Sequence, residues 1–197
     1  PVFSQFALHE RLLKAVAEAP DAPPAKLLRL GLENTDQRVR ADKSVTPTFL
    51  FAVLLWPAIL RAAGAPTGPL PTDPQLLLTA VDDVLGRQLR RITVPKRFGL
   101  PMRDIIMLQP RFERRSGRRA LRLLEHPKFR AAYDLLLLRA ASGEIDPEVA
   151  EWWTQLQEMP EAERIEAVEN RPAEATEAGA APRRRRSRRR RKRPDAT

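Results

Sequence analysis

Residues 46–63 read TPTFLFAVLLWPAILRAA, and this stretch decides the fold class. Thr46 followed by Pro47 is a typical helix start, because threonine can cap the first turn and proline lacks the N–H that this turn leaves unbonded. The helix predicted over residues 48–63 is apolar on nearly every side, which is typical of a helix buried among others. Its longest apolar run, 49–60, is about 12 residues, whereas a membrane span needs roughly 20. The stretch therefore predicts the central helix of a packed bundle.

The sequence on both sides of this helix also predicts helices. Leu and Ala dominate the apolar positions, and no stretch shows the sustained alternation of β-branched residues that is typical of a strand. We therefore expect an all-α protein, with an irregular helical body and a disordered Arg-rich C-terminal tail. Caps, prolines and apolar spacing predict helices over residues 4–20, 23–40, 48–63, 72–92, 102–115, 118–125, 128–141 and 147–157, with residues 95–101 as an irregular connector.

Apolar content falls sharply after residue 157, and this divides the chain. We predict a packed helical body over residues 1–157, an acidic mobile linker over 158–181 and a disordered tail over 182–197. Within the linker, residues 161–181 are expected to keep a turn or two of acidic helix at most. Residues 183–193 of the tail read RRRRSRRRRKR, ten cations interrupted only by Ser187. A segment of this composition buries nothing, so its action is electrostatic.

Charge is sorted into blocks along the chain. Residues 87–139 hold 15 Lys/Arg against 4 Asp/Glu, a net of +11, whereas residues 140–182 hold 2 Arg against 11 acids, a net of −9. Two cationic zones, this basic block and the tail, indicate a polyanionic partner, RNA or DNA. The competing explanation is that the acidic segment folds onto the basic block and neutralises it within the molecule.

Cations of the basic block recur at helical spacing. Arg111, Arg115, Arg118 and Arg122 lie 4, 3 and 4 residues apart, which on a continuous helix makes one cationic stripe, although Gly117 is a point where such a helix would break. A charge run is often only a solvated surface, but a net charge this high costs folding stability unless anions screen it. The residues predicted to bind nucleic-acid phosphates are Lys96, Arg97, Arg115, Arg118, Arg119, Arg122, Lys128 and Arg130 in the body, and Arg183, Arg184, Arg185, Arg186, Arg188, Arg189, Arg190, Arg191, Lys192 and Arg193 in the tail.

The sequence lacks the signatures of common catalytic sites, so we predict no catalytic residue. It contains no GxGxxG, no Walker lysine loop and no GxSxG. Asp82 and Asp83 are adjacent, so on a helix they point about 100° apart, and we interpret them as a solvated face with a salt bridge. His9 and His126 are distant in sequence and there is no cysteine, which argues against a metal site. For His126, which precedes a proline, we predict a structural hydrogen bond.

Several segments resemble, in the same order, the C-terminal body of the bacterial poly(A) polymerases. They are NTDQR at 34–38, VTPTFLFA at 45–52, VPKR at 94–97, RRSGRRA at 114–120 and LLEHPKFRAAYDLLLLRA at 123–140, followed by the pair Trp152-Trp153 and the Arg-rich tail. The resemblance covers about residues 1–197 and is strongest over 33–60 and 92–153. Ordered matches of this length are more specific than a short motif.

The resemblance implies a member of the nucleotidyltransferase superfamily, which also contains the tRNA CCA-adding enzymes. Members carry an N-terminal catalytic head, whose Gly-rich turn and paired aspartates bind Mg²⁺ and ATP, followed by a helical neck, body and arm. Since nothing in this sequence matches the head, the resemblance implies an RNA-binding body and arm that is inactive alone and holds no cofactor. For the complete enzyme it implies template-independent transfer of AMP from ATP to RNA 3′ ends in the bacterial cytoplasm, which promotes RNA decay. RNA is then the expected partner, with RNA-decay proteins as further candidates.

Three other functions stay open on the sequence. The chain could be a stand-alone RNA-binding or ribosome-associated protein, an interaction scaffold in which RNA is irrelevant, or a CCA-adding relative. The start Pro1-Val2-Phe3, without methionine, is typical of a fragment or a processed chain, so the upstream reading frame separates the first alternative from the polymerase. The long tail and the segment 123–140 favour polyadenylation over CCA addition.

Overall fold

The computed structural model describes residues 19–66, 69–89 and 96–171, and for Leu89 and Lys96 it describes the backbone alone. These residues form helices joined by turns, without a strand among them, so the predicted all-α class is confirmed. The predicted helix over residues 4–20 falls almost wholly outside the described residues, and so does the tail from 182 to 197.

The helices begin where proline and short polar side chains predict that they should. Pro23, Pro47, Pro74 and Pro147 each open a helix, because a fixed φ suits the first turn and the missing N–H has no partner there. Asp146 caps one of them by accepting the backbone N–H of Glu148. In chain order the helices are α1 (Pro23–Arg40), α2 (Pro47–Ala62), α3 (Pro74–Leu89), α4 (Lys96–Phe112), α5 (Arg118–Leu124), α6 (Phe129–Ser142), α7 (Pro147–Glu158) and α8 (Glu161–Glu169).

Helix α2 is the centre of the core, as its sequence predicts. It packs against α1, α3, α4 and α6, and Trp56, Ile59 and Leu60 are almost completely buried. Thr46 precedes the helix in extended conformation, but its side chain makes no capping hydrogen bond. Gly31 lets α1 approach α2 closely, since a Cβ there would lie 2.5 Å from Val53 Cγ1. Any larger side chain at this position would push the two helices apart.

The predicted irregular connector over residues 95–101 is wrong. Helix α4 begins at Lys96 and continues through Pro101 and Pro110. Pro101 lacks the N–H that would bond to the Arg97 carbonyl. This carbonyl lies in the first turns of α4, where Arg97 is exposed, so water can replace the missing hydrogen bond. Burial of Met102, Ile105 and Ile106 stabilises the helix beyond that point.

The start of the acidic segment also differs from the sequence-based expectation. Residues 161–169, which composition assigned to a mobile linker, form α8 and pack against α5. Val168 is fully buried, and its carbonyl accepts the backbone N–H of Gly117 at 2.8 Å. Arg164 donates to the carbonyls of Leu156 and Gln157 at the end of α7. One buried apolar residue and these hydrogen bonds dock a helix whose mean composition is polar.

Candidate nucleic-acid interface

The turn before α5 separates the predicted cationic stripe into two parts. Helix α4 ends at Phe112, and Gly117 has φ +67°, a conformation that glycine adopts readily. Arg111 therefore lies on a different helix from Arg118 and Arg122, and the single continuous stripe is wrong. Arg118 and Arg122 remain four residues apart within α5, so they share one face of that helix.

Helix α5 presents the densest group of exposed cations in the described part of the chain. Arg118, Arg119 and Arg122 are exposed, and none of them forms an ion pair with another described residue. Their charges are therefore available to an anionic ligand. The other predicted residues are spread along the chain. Arg97 and Arg130 are exposed, and the guanidinium of Arg97 lies 4.8 Å from the Phe98 ring centroid, whereas Arg115 and Lys128 are half-buried. The side chain of Lys96 and the tail residues 183–193 lie outside what the structure describes.

Helix α8 brings negative charge close to α5 without occupying its arginines. Glu161, Glu163, Glu166 and Glu169 are all exposed, and within residues 19–66, 69–89 and 96–171 no ion pair joins them to α5. The Debye length at 0.1 M salt is about 10 Å, so a glutamate of α8 acts on an arginine of α5 only where the two side chains approach within that distance. Helix α8 therefore adds opposing charge beside α5, while the guanidinium groups of α5 stay without an ion pair among the described residues.

The beginning of α6 is fixed by His126. Its Nδ1 accepts the backbone N–H of Lys128 at 3.1 Å, which confirms the predicted structural hydrogen bond. Two residues later, Arg130 Nε lies 3.2 Å from Asp134 Oδ1. Burial raises the pKa of Asp134, whereas the nearby charges of Arg130 and Arg38 act to lower it. Arg38, on α1, thus acts on the same carboxylate electrostatically, but it forms no ion pair with it.

Several cations of the basic block are already paired, so its net charge overstates what the surface offers. Asp82 pairs with Arg103 at 3.2 Å and Asp83 with Arg87 at 3.9 Å, as expected for a solvated face with salt bridges. Arg139 is 2% exposed and is neutralised in the core. Among the described residues of the block, the exposed arginines of α5 are therefore part of a smaller set of cations that remain unpaired.

Arg139 belongs to a buried polar network that sequence reasoning missed. Its Nε donates to Glu144 Oε1 at 2.7 Å, and its guanidinium lies 5.0 Å from the Trp56 ring centroid. Trp56 Nε1 donates to the other carboxylate oxygen of Glu144 at 2.8 Å. Gln109 accepts from Arg139 Nη1 and donates to the Ala132 carbonyl. The network joins α2, α4 and α6 and supports the body that carries the exposed arginines. An arginine directly after the run Leu135–Leu138 was the available signal.

Neither a metal cluster nor a membrane helix occurs in the described part of the chain. Over residues 19–66, 69–89 and 96–171 no group of three or more His, Cys, Asp or Glu side chains is arranged to hold a metal ion. No helix in these same ranges combines the length and apolar character needed to cross a bilayer.

Comparison with known proteins identifies similar sequences. A family model described as "Polymerase A arginine-rich C-terminus" matches residues 72–193. The chain is 40% identical over 155 residues to poly(A) polymerase I of Escherichia coli O157:H7, a match that covers 76% of this chain and 33% of that protein. It is 38% identical over 156 residues to poly(A) polymerase I of Salmonella typhi, with 76% and 33% coverage. For poly(A) polymerase I of Haemophilus influenzae the identity is 34% over 164 residues, with 78% and 35% coverage. The chain thus spans about a third of the length of these relatives.

Proposed function

The chain belongs to the family of the arginine-rich C-terminal region of poly(A) polymerases, and from this premise we propose that it is the RNA-binding part of an enzyme that adds AMP from ATP to RNA 3′ ends. One observation carries the proposal. The family match over residues 72–193 includes both the exposed arginines of α5 and the arginine run of the tail. Guanidinium groups bind phosphate oxygens through charge-assisted hydrogen bonds, so both parts suit an RNA backbone.

In this proposal the chain binds and positions the RNA, and it does not catalyse the transfer of AMP. Phosphate contacts position a nucleic acid but carry little base specificity, as an enzyme that accepts many RNA 3′ ends requires. Tethering the RNA beside a catalytic domain raises its effective concentration there. ATP and Mg²⁺ then belong to catalytic segments outside this sequence, and RNA processing and decay in the cytoplasm are the proposed context.

Neutralising α5 is the direct test. We expect the triple substitution Arg118→Gln, Arg119→Gln and Arg122→Gln to weaken binding of a labelled oligoadenylate and to flatten the plot of log K against log salt. Each lost phosphate contact changes that slope by about 0.7, so three lost contacts flatten it by about 2. Fluorescence anisotropy at four or five salt concentrations measures both quantities.

A matched control removes the same charge elsewhere on the body. The triple substitution Arg29→Gln, Arg61→Gln and Arg87→Gln also replaces three exposed arginines, but on α1, α2 and α3, and two of them lie in long, exposed ion pairs with Glu33 and Asp83. Its salt slope should stay close to that of the unmodified chain. Equal effects of the two triples would show that net charge, not α5, governs binding, and an unmodified chain that ignores the oligonucleotide at low salt would refute the proposed function.

The packing of α8 on α5 favours one second candidate, an interaction scaffold in which the acidic helix exists to neutralise the basic one. Replacing the four glutamates of α8 with glutamine separates the two functions. If α5 binds RNA, removing the glutamates also removes their repulsion of the RNA phosphates. Oligoadenylate binding should then tighten about three-fold at 0.1 M salt, and this gain in affinity should vanish at 1 M. If the chain is a scaffold, neither the unmodified chain nor the glutamine variant should bind the oligonucleotide, and the variant should have a lower melting temperature than the unmodified chain.

A further inference from the structure

The last turn of α1 and the first turns of α6 meet at one end of the body. Helix α1 packs along α6, and a Cβ on Gly31 would lie 3.5 Å from Leu138 Cδ1. Further along α1, Arg38 acts electrostatically on Asp134, which lies earlier in α6 than Leu138. Contacts with α2 give the direction of both helices: α1 returns into α2 through residues 41–46, and Gly31 lies against Val53, so α1 and α2 are antiparallel. Gly31 also lies against Leu138, whereas Trp56, further along α2, contacts Arg139 and Glu144, so α2 and α6 run in the same direction. Helices α1 and α6 are therefore antiparallel. This arrangement places Arg38 beside the turn of α6 that carries Arg130.

Arg38 is held in place while remaining exposed. Its Nε and Nη2 both donate to the Ser44 carbonyl, at 3.2 and 2.9 Å, in the turn after α1. Within the described residues Nη1 has no hydrogen-bond partner, so its N–H groups are available to a ligand. The side chain is thus ordered in advance, which lowers the entropy cost of binding an anion.

Arg130 is the second cation of this junction. Its side chain is 76% exposed, and its Nε contacts Asp134 at 3.2 Å. The ring of Tyr133, 5.7 Å from the guanidinium, limits its orientations further. Asp134 is half-buried and pairs with Arg130 but not with Arg38, so this one carboxylate neutralises only one of the two guanidinium groups. Two exposed acids, Asp36 and Asp42, lie nearby in the sequence, and the cations Arg40 and Lys43 equal them in number. The net charge of the junction is therefore positive.

We propose that Arg38 and Arg130 together form a second phosphate-binding site for the RNA backbone, at the junction of α1 and α6. The inference rests on the proposed function and extends it to residues almost a hundred positions apart in sequence. Two planar guanidinium forks around a single phosphate or two consecutive phosphates match the geometry that arginine uses for such ligands. Asp134 competes with the phosphate for both arginines and so limits the strength of the site.

Four variants test this site against labelled oligoadenylate. We expect Arg38→Gln and Arg130→Gln each to weaken binding and to flatten the salt slope by about 0.7, and the double substitution to flatten it by about 1.4. Asp134→Asn should change binding in the opposite direction, tightening it about two-fold, because the competing anion is gone. The control Arg29→Gln removes an exposed arginine of the same helix about 14 Å away and should leave the slope unchanged.

The possible results separate this site from the general function. If the unmodified chain binds with a steep salt slope but Arg38→Gln and Arg130→Gln behave like Arg29→Gln, the site is wrong and the proposed function stands. If Asp134→Asn weakens binding, the carboxylate orients the arginines instead of competing, and the site as proposed is also wrong. If the unmodified chain does not bind at low salt, the proposed function itself fails. Should Arg38→Gln lose its fold through the Ser44 contact, Arg130→Gln and Arg38→Lys decide the question, since Lys keeps the charge and should largely restore binding.

Discussion

Replacing Glu144 with alanine is expected to lower the free energy of unfolding by about 3–5 kcal/mol, because it leaves the buried charge of Arg139 without its counter-ion. The side chains of Arg139 and Glu144 are 3% and 2% exposed, and Arg139 Nε lies 2.7 Å from Glu144 Oε1. The same substitution removes the acceptor of the Trp56 indole N–H. Glu113, the other carboxylate near Arg139, lies 4.0 Å away and is half exposed, so it replaces little of the lost interaction.

Urea unfolding followed by tryptophan fluorescence measures this effect. The control is Asp83→Asn, which breaks an exposed ion pair of 3.9 Å and should cost less than about 0.5 kcal/mol. Glu144→Gln should fall between the two, since an amide oxygen can still accept one hydrogen bond but carries no charge. A loss below about 1 kcal/mol for Glu144→Ala would mean that Arg139 finds water or another acceptor, and that the network does not hold α2, α4 and α6 together.

The fold was predictable wherever apolar spacing is dense. Residues 46–63 identify α2 as the central helix because nearly every position is apolar, and the structure buries it on all sides. Local rules failed where tertiary contacts override them. Prolines around 95–101 suggested a break, but burial of the next two turns extends α4 back to Lys96. A turn or two of acidic helix was expected near α8, but its packing was not, because one buried residue, Val168, docks it and average composition does not detect a single contact.

The candidate interface was predictable as a region but not residue by residue. Summing charge over residues 87–139 finds the arginines of α5, yet it counts Arg139 equally, although that side chain is in the core. The same sums hide Arg38, because residues 1–86 are nearly neutral overall. Ion pairing and the antiparallel packing of helices determine which guanidinium groups are exposed near one another. Neither can be predicted from the order of charged residues along the chain.

Replacing all ten cations of residues 183–193 with glutamine is expected to have the largest effect on RNA binding. If half of these charges each neutralise one phosphate of a single strand, their loss flattens the salt slope by about 3.5. The corresponding loss of affinity at 0.1 M salt is about 10³-fold, and it shrinks toward nothing near 1 M. The reduction should be similar for oligonucleotides of different sequence, because backbone contacts do not read bases.

Substituting lysine at every tail arginine provides the matched control. Lysine keeps the charge but loses the bidentate fork, so the salt slope should be preserved with only a modest loss of affinity. A tail that acts through a specific arginine geometry would instead lose affinity with either substitution. If the glutamine tail leaves both affinity and slope unchanged, the phosphate contacts must lie entirely on the helical body. The eight predicted cations of the body and Arg38 would then have to account for all of the salt dependence, a total that their number limits to a slope of about 6.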